Sequence, residues 1–66
     1  MRFRECDTVR IINDCKNGAK KGEIGTILIA FREPNEAYEV EIVDEKGRTK
    51  AQYTLLPDNL ELVEIG

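Results

Sequence analysis

The chain of 66 residues contains no histidine and only two cysteines, Cys6 and Cys15. Histidine is the usual general base near neutral pH, so its absence leaves both thiols without the side-chain partner that nucleophilic catalysis requires. A structural zinc site needs about four ligands, commonly including a Cys-x-x-Cys pair, and the sequence has no such pair. We therefore expect a protein that is not an enzyme and that binds neither a metal nor a cofactor.

Long apolar runs are also missing, because no segment approaches the roughly 20 residues that a membrane-spanning helix needs. Residues 1–5 are not followed by an apolar run of the kind that a signal peptide contains. These absences predict a cytoplasmic protein that does not enter a membrane. In that compartment thiols stay reduced, so Cys6 and Cys15 are expected to be free.

Hydrophobic residues make up 41% of the chain and charged residues 35%, a balance typical of a globular domain rather than of a disordered segment. A chain of this length has room for one small core. We therefore expect residues 1–66 to form a single domain. No stretch carries the i, i+3, i+4 apolar spacing of a long helix, which leaves an all-β fold.

Period-two alternation of apolar and polar residues predicts five short strands. The strand candidates are residues 8–13, 25–31, 37–43, 48–55 and 62–65. In the second candidate, Ile27, Ile29 and Phe31 occupy alternate positions, so all three are expected to face the core. The third is the most regular: Tyr38, Val40 and Ile42 are expected to face the core, and Glu39 and Glu41 are expected to face outward.

Turn residues separate these candidates and limit the possible architectures. A loop at residues 14–22 is rich in lysine and glycine, residues 33–36 and 44–47 form short turns, and Pro57 favours one turn of 3₁₀ helix. Five strands joined in this way predict a small five-stranded SH3-like barrel with a short 3₁₀ turn before the last strand. A five-stranded OB-fold is the rival, but the tight turn at 44–47 leaves no room for its helix.

Two segments, residues 7–12 and 22–27, resemble the KOW-type barrel signature of ribosomal and transcription-elongation proteins. Nearly the whole chain is similar to domain-of-unknown-function family 4926. The matching pieces are Asp7-Thr8-Val9, residues 22–27, residues 38–42, Asp44 with Gly47, and Tyr53-Thr54-Leu55. That resemblance implies a small bacterial barrel without assigned activity. It also implies an immunity or antitoxin role for members encoded beside toxin-like genes.

The net charge of −3 is unevenly divided along the chain. Residues 1–32 carry seven Lys/Arg and four Asp/Glu, or +3, whereas residues 33–66 carry three and nine, or −6. Glu39 and Glu41 share one strand face, and the adjoining turns extend the acidity through Glu36, Asp44 and Glu45. Such a surface suits a cationic partner. The charge and the missing catalytic residues predict a non-catalytic binding module. The resemblance to family 4926 implies, more specifically, an immunity-like or antitoxin-like protein that binds the basic toxin domain encoded by an adjacent gene.

The alternative is a KOW-like module that binds RNA or the ribosome. The basic residues that would contact phosphates are Lys16, Lys20, Lys21, Arg10 and Arg32. The net charge of −3 and the pI of about 4.9 oppose this alternative. Aromatic residues for base stacking are also sparse, and Phe31, Tyr38 and Tyr53 occupy positions expected to face inward.

Overall fold

The structure is a computed structural model, and it describes residues 2–63. Its elements are β1 (Thr8–Ile11), β2 (Ile24–Phe31), β3 (Ala37–Val43), β4 (Thr49–Leu55), a 3₁₀ helix (Pro57–Asn59) and β5 (Leu60–Leu62). The prediction of an all-β chain with one 3₁₀ turn before the last strand is confirmed. The last predicted strand extended to Ile65, which lies outside the described residues.

The five strands form one antiparallel sheet in the order β4-β3-β2-β1-β5. The first four strands lie beside their neighbours in sequence, while β5 pairs with β1, where Leu60 lies opposite Ile11. Within residues 2–63, β4 and β5 are therefore the two edges, and strand pairing does not close the sheet. The predicted closure into a barrel is not confirmed by this topology.

The loop between β1 and β2, residues 12–23, forms hydrogen bonds near both edges of the sheet. The backbone N–H of Ile12 donates to the carbonyl oxygen of Asn59, just before β5, at 2.9 Å. The side-chain amide of Asn17 donates to the carbonyl oxygen of Thr54 in β4 at 3.1 Å. Ala19 is fully buried in the core, so this loop packs as part of the fold and does not extend freely into solvent.

The core lies on the inner face of the sheet and receives side chains from every strand. Its buried members are Phe3, Val9, Ile11, Ala19, Ile27, Tyr38, Val40, Ile42, Leu55 and Leu60. The inward series predicted for β3 is thus confirmed. Phe3 is an addition that strand periodicity did not predict. Its ring packs edge-on against Tyr38, with a centroid distance of 5.2 Å and an interplanar angle of 77°.

A β-bulge in β2 corrects the prediction for that strand. The register with β3 shifts between Ile27 and Ile29, so that an extra residue on β2 reverses its alternation. Ile27 is 1% exposed, but Ile29 is 47% exposed and Phe31 is 38% exposed. The prediction that Ile29 and Phe31 face the core was wrong. Ala30 packs against the core in their place.

Candidate functional site

The outward side chains of β3 form the centre of the candidate site. Glu39 and Glu41 are half-buried and alternate with fully buried neighbours, so both carboxylates stand on the outer face of the sheet. The strand register places Glu39 between Ile29 of β2 and Thr54 of β4. We call the pair of carboxylates, Glu39 and Glu41, the acidic face.

Each carboxylate of the acidic face accepts a hydrogen bond from a threonine on the neighbouring strand. The Thr54 hydroxyl donates to Glu39 Oε1 at 2.7 Å, and the Thr49 hydroxyl donates to Glu41 Oε2 at 2.8 Å. These neutral donors orient the carboxylates, which keep further lone pairs for other partners. Within residues 2–63, no lysine or arginine forms an ion pair with either side chain. An ion pair with a described residue therefore does not occupy either carboxylate of the acidic face.

Asp44 and Glu45, also predicted as site residues, lie in the turn that follows β3. The Asp44 carboxylate accepts hydrogen bonds from the backbone N–H groups of Lys46 at 2.8 Å and Arg48 at 3.0 Å. The bond from the Arg48 backbone is the main cause that holds the pKa of Asp44 below its usual range. Asp44 thus stabilises its own turn, whereas Glu45 is exposed to solvent.

Glu36 lies just before β3 and is connected to the N-terminal segment. Its carboxylate accepts hydrogen bonds from the hydroxyl of Tyr38 and from the backbone N–H of Arg2, the latter at 3.1 Å. The bond from Tyr38 lowers the pKa of Glu36, and burial raises the pKa of Tyr38. The same hydroxyl accepts a hydrogen bond from the backbone N–H of Phe3 at 3.2 Å. Glu36 is therefore engaged in holding residues 2–3 against the core.

The lowered pKa of Glu36 predicts an acid-sensitive contribution to stability. Because the pKa in the folded chain lies below the ordinary value of 4.5, this contribution is present above pH 4.5 and is lost as the pH falls through the lowered pKa. We expect the free energy of unfolding, measured by urea titration, to fall more between about pH 6 and about pH 3 in the wild type than in a Glu36→Gln variant. The exposed Glu5, changed to Gln, is the control. Equal pH dependence in the wild type and Glu36→Gln would contradict this assignment.

The five basic residues of the alternative prediction are distributed over the molecule. Arg10 forms an ion pair with Glu61 across β1 and β5, with 2.6 Å between Nη1 and Oε1. Arg10 also lies opposite Ile24 at the start of β2, whereas Arg32 follows the end of that strand, so the two arginines are at opposite ends of β2. The other three basic residues, Lys16, Lys20 and Lys21, are exposed in the loop between β1 and β2.

Carboxylates accompany the loop lysines. Asp14 Oδ1 accepts a hydrogen bond from the backbone N–H of Lys21 at 2.9 Å, and Glu23 Oε1 accepts one from Lys20 at 2.8 Å. Glu23 also forms an ion pair with Lys50 at 3.4 Å. A phosphate approaching these lysines would meet negative as well as positive charge, which weakens the electrostatic attraction on which nonspecific nucleic-acid binding depends.

Exposed apolar side chains border the acidic face, and sequence periodicity did not predict them. Ile29 and Phe31 reach the outer face because of the bulge, and Leu56, just after β4, is 55% exposed. Phe31 and Leu56 line a shallow depression of about 340 Å³ together with Glu33, Pro34, Asn35, Ala37 and Thr54. We call this the apolar depression. Since the Thr54 hydroxyl donates to Glu39, the depression adjoins the acidic face.

Residues 5–62 match DUF4926, a domain of unknown function. The chain belongs to this family. No curated protein and no solved structure matches the chain. The resemblance to family 4926 drawn from the sequence motifs is thereby confirmed.

The DUF4926 match extends from before β1 to the end of β5, so it includes the acidic face and the apolar depression. Phe3, which completes the core beside Tyr38, precedes the matched residues. None of the helical structure described for this DUF4926 chain has the length and apolarity needed to cross a membrane. Residues 2–63 also contain no group of three or more cysteine, aspartate or glutamate side chains arranged to hold a metal ion.

Proposed function

We propose that this DUF4926 protein is a non-catalytic module that binds a basic protein partner through the outer surface of β2, β3 and β4. The observation that carries the proposal is the register that places the exposed Ile29 beside Glu39. An apolar side chain beside a carboxylate that forms no ion pair with any residue in 2–63 offers two recognition elements at once. Burying the apolar side chain against a partner removes it from water, which favours binding. The carboxylate favours binding through its attraction to a cationic group of the partner.

The arrangement of the exposed apolar residues supports the same proposal. Single exposed apolar side chains are ordinary on protein surfaces, but adjoining ones mark interaction sites more often. Ile29 and Phe31 stand two residues apart after the bulge, and Phe31 shares the apolar depression with Leu56. Apolar side chains surrounded by charge are the composition expected at a protein-protein interface with a hydrophobic centre and a polar rim.

In its most specific form, the proposal makes this chain an immunity or antitoxin-like protein in the cytoplasm. The partner is then a basic toxin domain encoded by an adjacent gene, and the acidic face covers its cationic surface. This form rests on what the resemblance to family 4926 implies, namely an immunity or antitoxin role for members encoded beside toxin-like genes. Cys6 and Cys15 are not joined by a disulfide, which is the usual arrangement in a cytoplasmic protein.

We further propose that the fold is an SH3-like barrel in which a loop, instead of strand pairing, completes the enclosure. The supporting observations are the hydrogen bonds from Ile12 to Asn59 and from Asn17 to Thr54, which join residues 12–23 to both edges of the sheet. Ala19 fills the core from the same loop. In this arrangement residues 12–23 have a structural role, and the recognition surface lies on the opposite, outward face of β3.

A charge-matched pair of double variants tests the proposed function. Glu39→Gln/Glu41→Gln removes the charge of the acidic face while glutamine still accepts the threonine hydrogen bonds. The control is Glu5→Gln/Asp58→Asn, which changes the net charge equally from −3 to −1 at exposed positions elsewhere. Each chain is co-expressed and co-purified with the product of the adjacent gene, and the affinity of the complex is measured by calorimetry. We expect the first variant to bind at least about tenfold more weakly, and the control to bind within about twofold of the wild type.

Two results would contradict the proposal. One is the absence of a complex together with the absence of protection from toxicity of the adjacent gene. The other is an equal loss of affinity in both double variants, because general charge and not the acidic face would then explain binding.

A further inference from the structure

We propose that the apolar depression binds one aliphatic or aromatic side chain from a segment of the partner whose neighbouring residues are Lys or Arg. This inference rests on the proposed function and specifies the chemistry of the segment recognised. The expected occupant is thus a single apolar side chain, which we call the anchor, with cationic residues next to it in the partner's sequence.

The shape of the depression suits a single anchoring side chain. Phe31 of β2 lies directly opposite Ala37 of β3 in the register, so the small alanine leaves open space beside the phenylalanine ring. Leu56 and Pro34 complete the apolar lining from the segment after β4 and from the turn before β3. The volume of about 340 Å³ is near the lower end of the roughly 300–1,000 Å³ of small-molecule sites, which fits a side chain rather than a whole folded element.

The charges around the depression determine what should flank the anchor. Glu33 belongs to the lining, and Thr54 connects the depression to the Glu39 carboxylate through a hydrogen bond of 2.7 Å. No lysine or arginine is among the lining residues. Although Arg32 follows Phe31 directly in sequence, it lines a separate depression with Phe3 and Arg4. A partner segment in the depression therefore lies near the carboxylates of Glu33 and Glu39, which favours Lys or Arg next to the anchor.

A second copy of this chain fits that description poorly. The N-terminal segment Arg2-Phe3-Arg4 has an apolar residue between two cationic ones, as the partner segment is expected to have. Its phenylalanine, however, is 5% exposed and packs edge-on against Tyr38 within its own core. Releasing Phe3 would open that core, so a different protein is the better source of the anchor.

The inference is tested by titrating the ¹⁵N-labelled full chain with three synthetic peptides of equal length. The first carries a central Lys-Leu-Lys, the second has serine in place of the leucine, and the third has glutamate in place of both lysines. We expect the first peptide to shift the amide signals of Phe31, Ala37 and Leu56. We expect each of the other two peptides to bind at least about fivefold more weakly, because each lacks one of the two recognition elements.

Two serine substitutions locate the effect on the protein. Leu56→Ser alters the depression, whereas Leu62→Ser is a matched control in β5 that does not line it. Both leucines are about half exposed, at 55% and 46%. Leu56→Ser should weaken binding of the Lys-Leu-Lys peptide by at least about fivefold, while Leu62→Ser should leave it unchanged. Amide spectra of both variants confirm that the fold is retained. Equal weakening in the two variants would overturn the inference.

The peptides also separate this inference from the proposed function. If the serine peptide binds as well as the leucine peptide and shifts only the signals of Glu39 and Glu41, the acidic face stands and the anchor site is overturned. If the glutamate peptide binds as well as the Lys-Leu-Lys peptide, the proposed preference for Lys or Arg next to the anchor is overturned. If no peptide binds while the adjacent gene product still depends on Glu39 and Glu41, only the inference fails. If that dependence is also absent, both proposals fail.

Discussion

Replacing Ile27 with alanine is expected to lower the free energy of unfolding by roughly 2–5 kcal/mol, because the side chain is buried and its removal leaves a cavity in the core. Ile27 is 1% exposed and lies opposite Val40, another fully buried residue. A domain of this size has a total stability of only about 3–5 kcal/mol, so much of the variant should be unfolded at room temperature. Urea titration followed by circular dichroism measures the change.

The matched control is Ile29→Ala, which removes the same atoms from the same strand two positions later. Ile29 is 47% exposed because of the bulge, so its truncation should change the free energy of unfolding by less than about 1 kcal/mol. Simple alternation along β2 would instead predict similar, large losses at both positions. Comparable destabilisation of the two variants would therefore show that β2 has no bulge between them.

Replacing Gly25 with alanine is the second change with a large expected effect. A Cβ atom at Gly25 would lie 2.5 Å from the carbonyl oxygen of Glu41 and 2.7 Å from side-chain carbons of Val40 and Ile42. The carbonyl belongs to the neighbouring strand and cannot move without disturbing the sheet. We expect a loss near the upper end of the roughly 1–3 kcal/mol typical of overpacking, measured by urea titration.

Gly22→Ala separates this steric effect from the conformational preference of glycine. Gly22 has a φ of +96°, but a Cβ atom there would meet no heavy atom within 4 Å. Its substitution should therefore cost only the backbone strain, roughly 1–2 kcal/mol for a left-handed conformation. A larger loss at Gly22 than at Gly25 would contradict the close approach of β2 to β3 at Gly25.

The parts of the fold that follow from local patterning could be predicted from sequence. Tyr38, Val40 and Ile42 alternate with two glutamates over five residues, and no bulge interrupts that run, so the inner and outer faces of β3 were both correct. The turn at Pro57 was also correct, because proline and the polar residues after it restrict the local backbone. In these segments the neighbouring residues determine the conformation.

The bulge could not be predicted in the same way, because it depends on pairing between strands. Ile27 and Ile29 are chemically identical and equally spaced, and only the register with β3 assigns them to opposite faces. The apolar depression depends on that bulge as well, since Phe31 reaches the outer surface after it. The apolar half of the candidate site therefore could not be predicted without the tertiary structure. The acidic half could be predicted from the alternation of residues in β3.

The N-terminal contact was missed for a related reason. Phe3 is isolated in sequence from any strand pattern, and its partner Tyr38 lies 35 residues away. A signal did exist at Glu36 and Tyr38, which are two residues apart and, in an extended backbone, lie on one side of the chain. Their hydrogen bond removes Glu36 from the free acidic surface, which leaves Glu39 and Glu41 as its centre.

The central claim is that Glu39 and Glu41 lie at the interface with a basic partner, and carboxylate footprinting tests it most directly. The protein is treated with a carbodiimide and glycine ethyl ester, alone and in complex with the adjacent gene product, and the modified residues are quantified by mass spectrometry. We predict that complex formation lowers the modification of Glu39 and Glu41 at least about fivefold and leaves Glu5 and Asp58, exposed elsewhere, unchanged. Unchanged modification of Glu39 and Glu41 in a formed complex would contradict the claim.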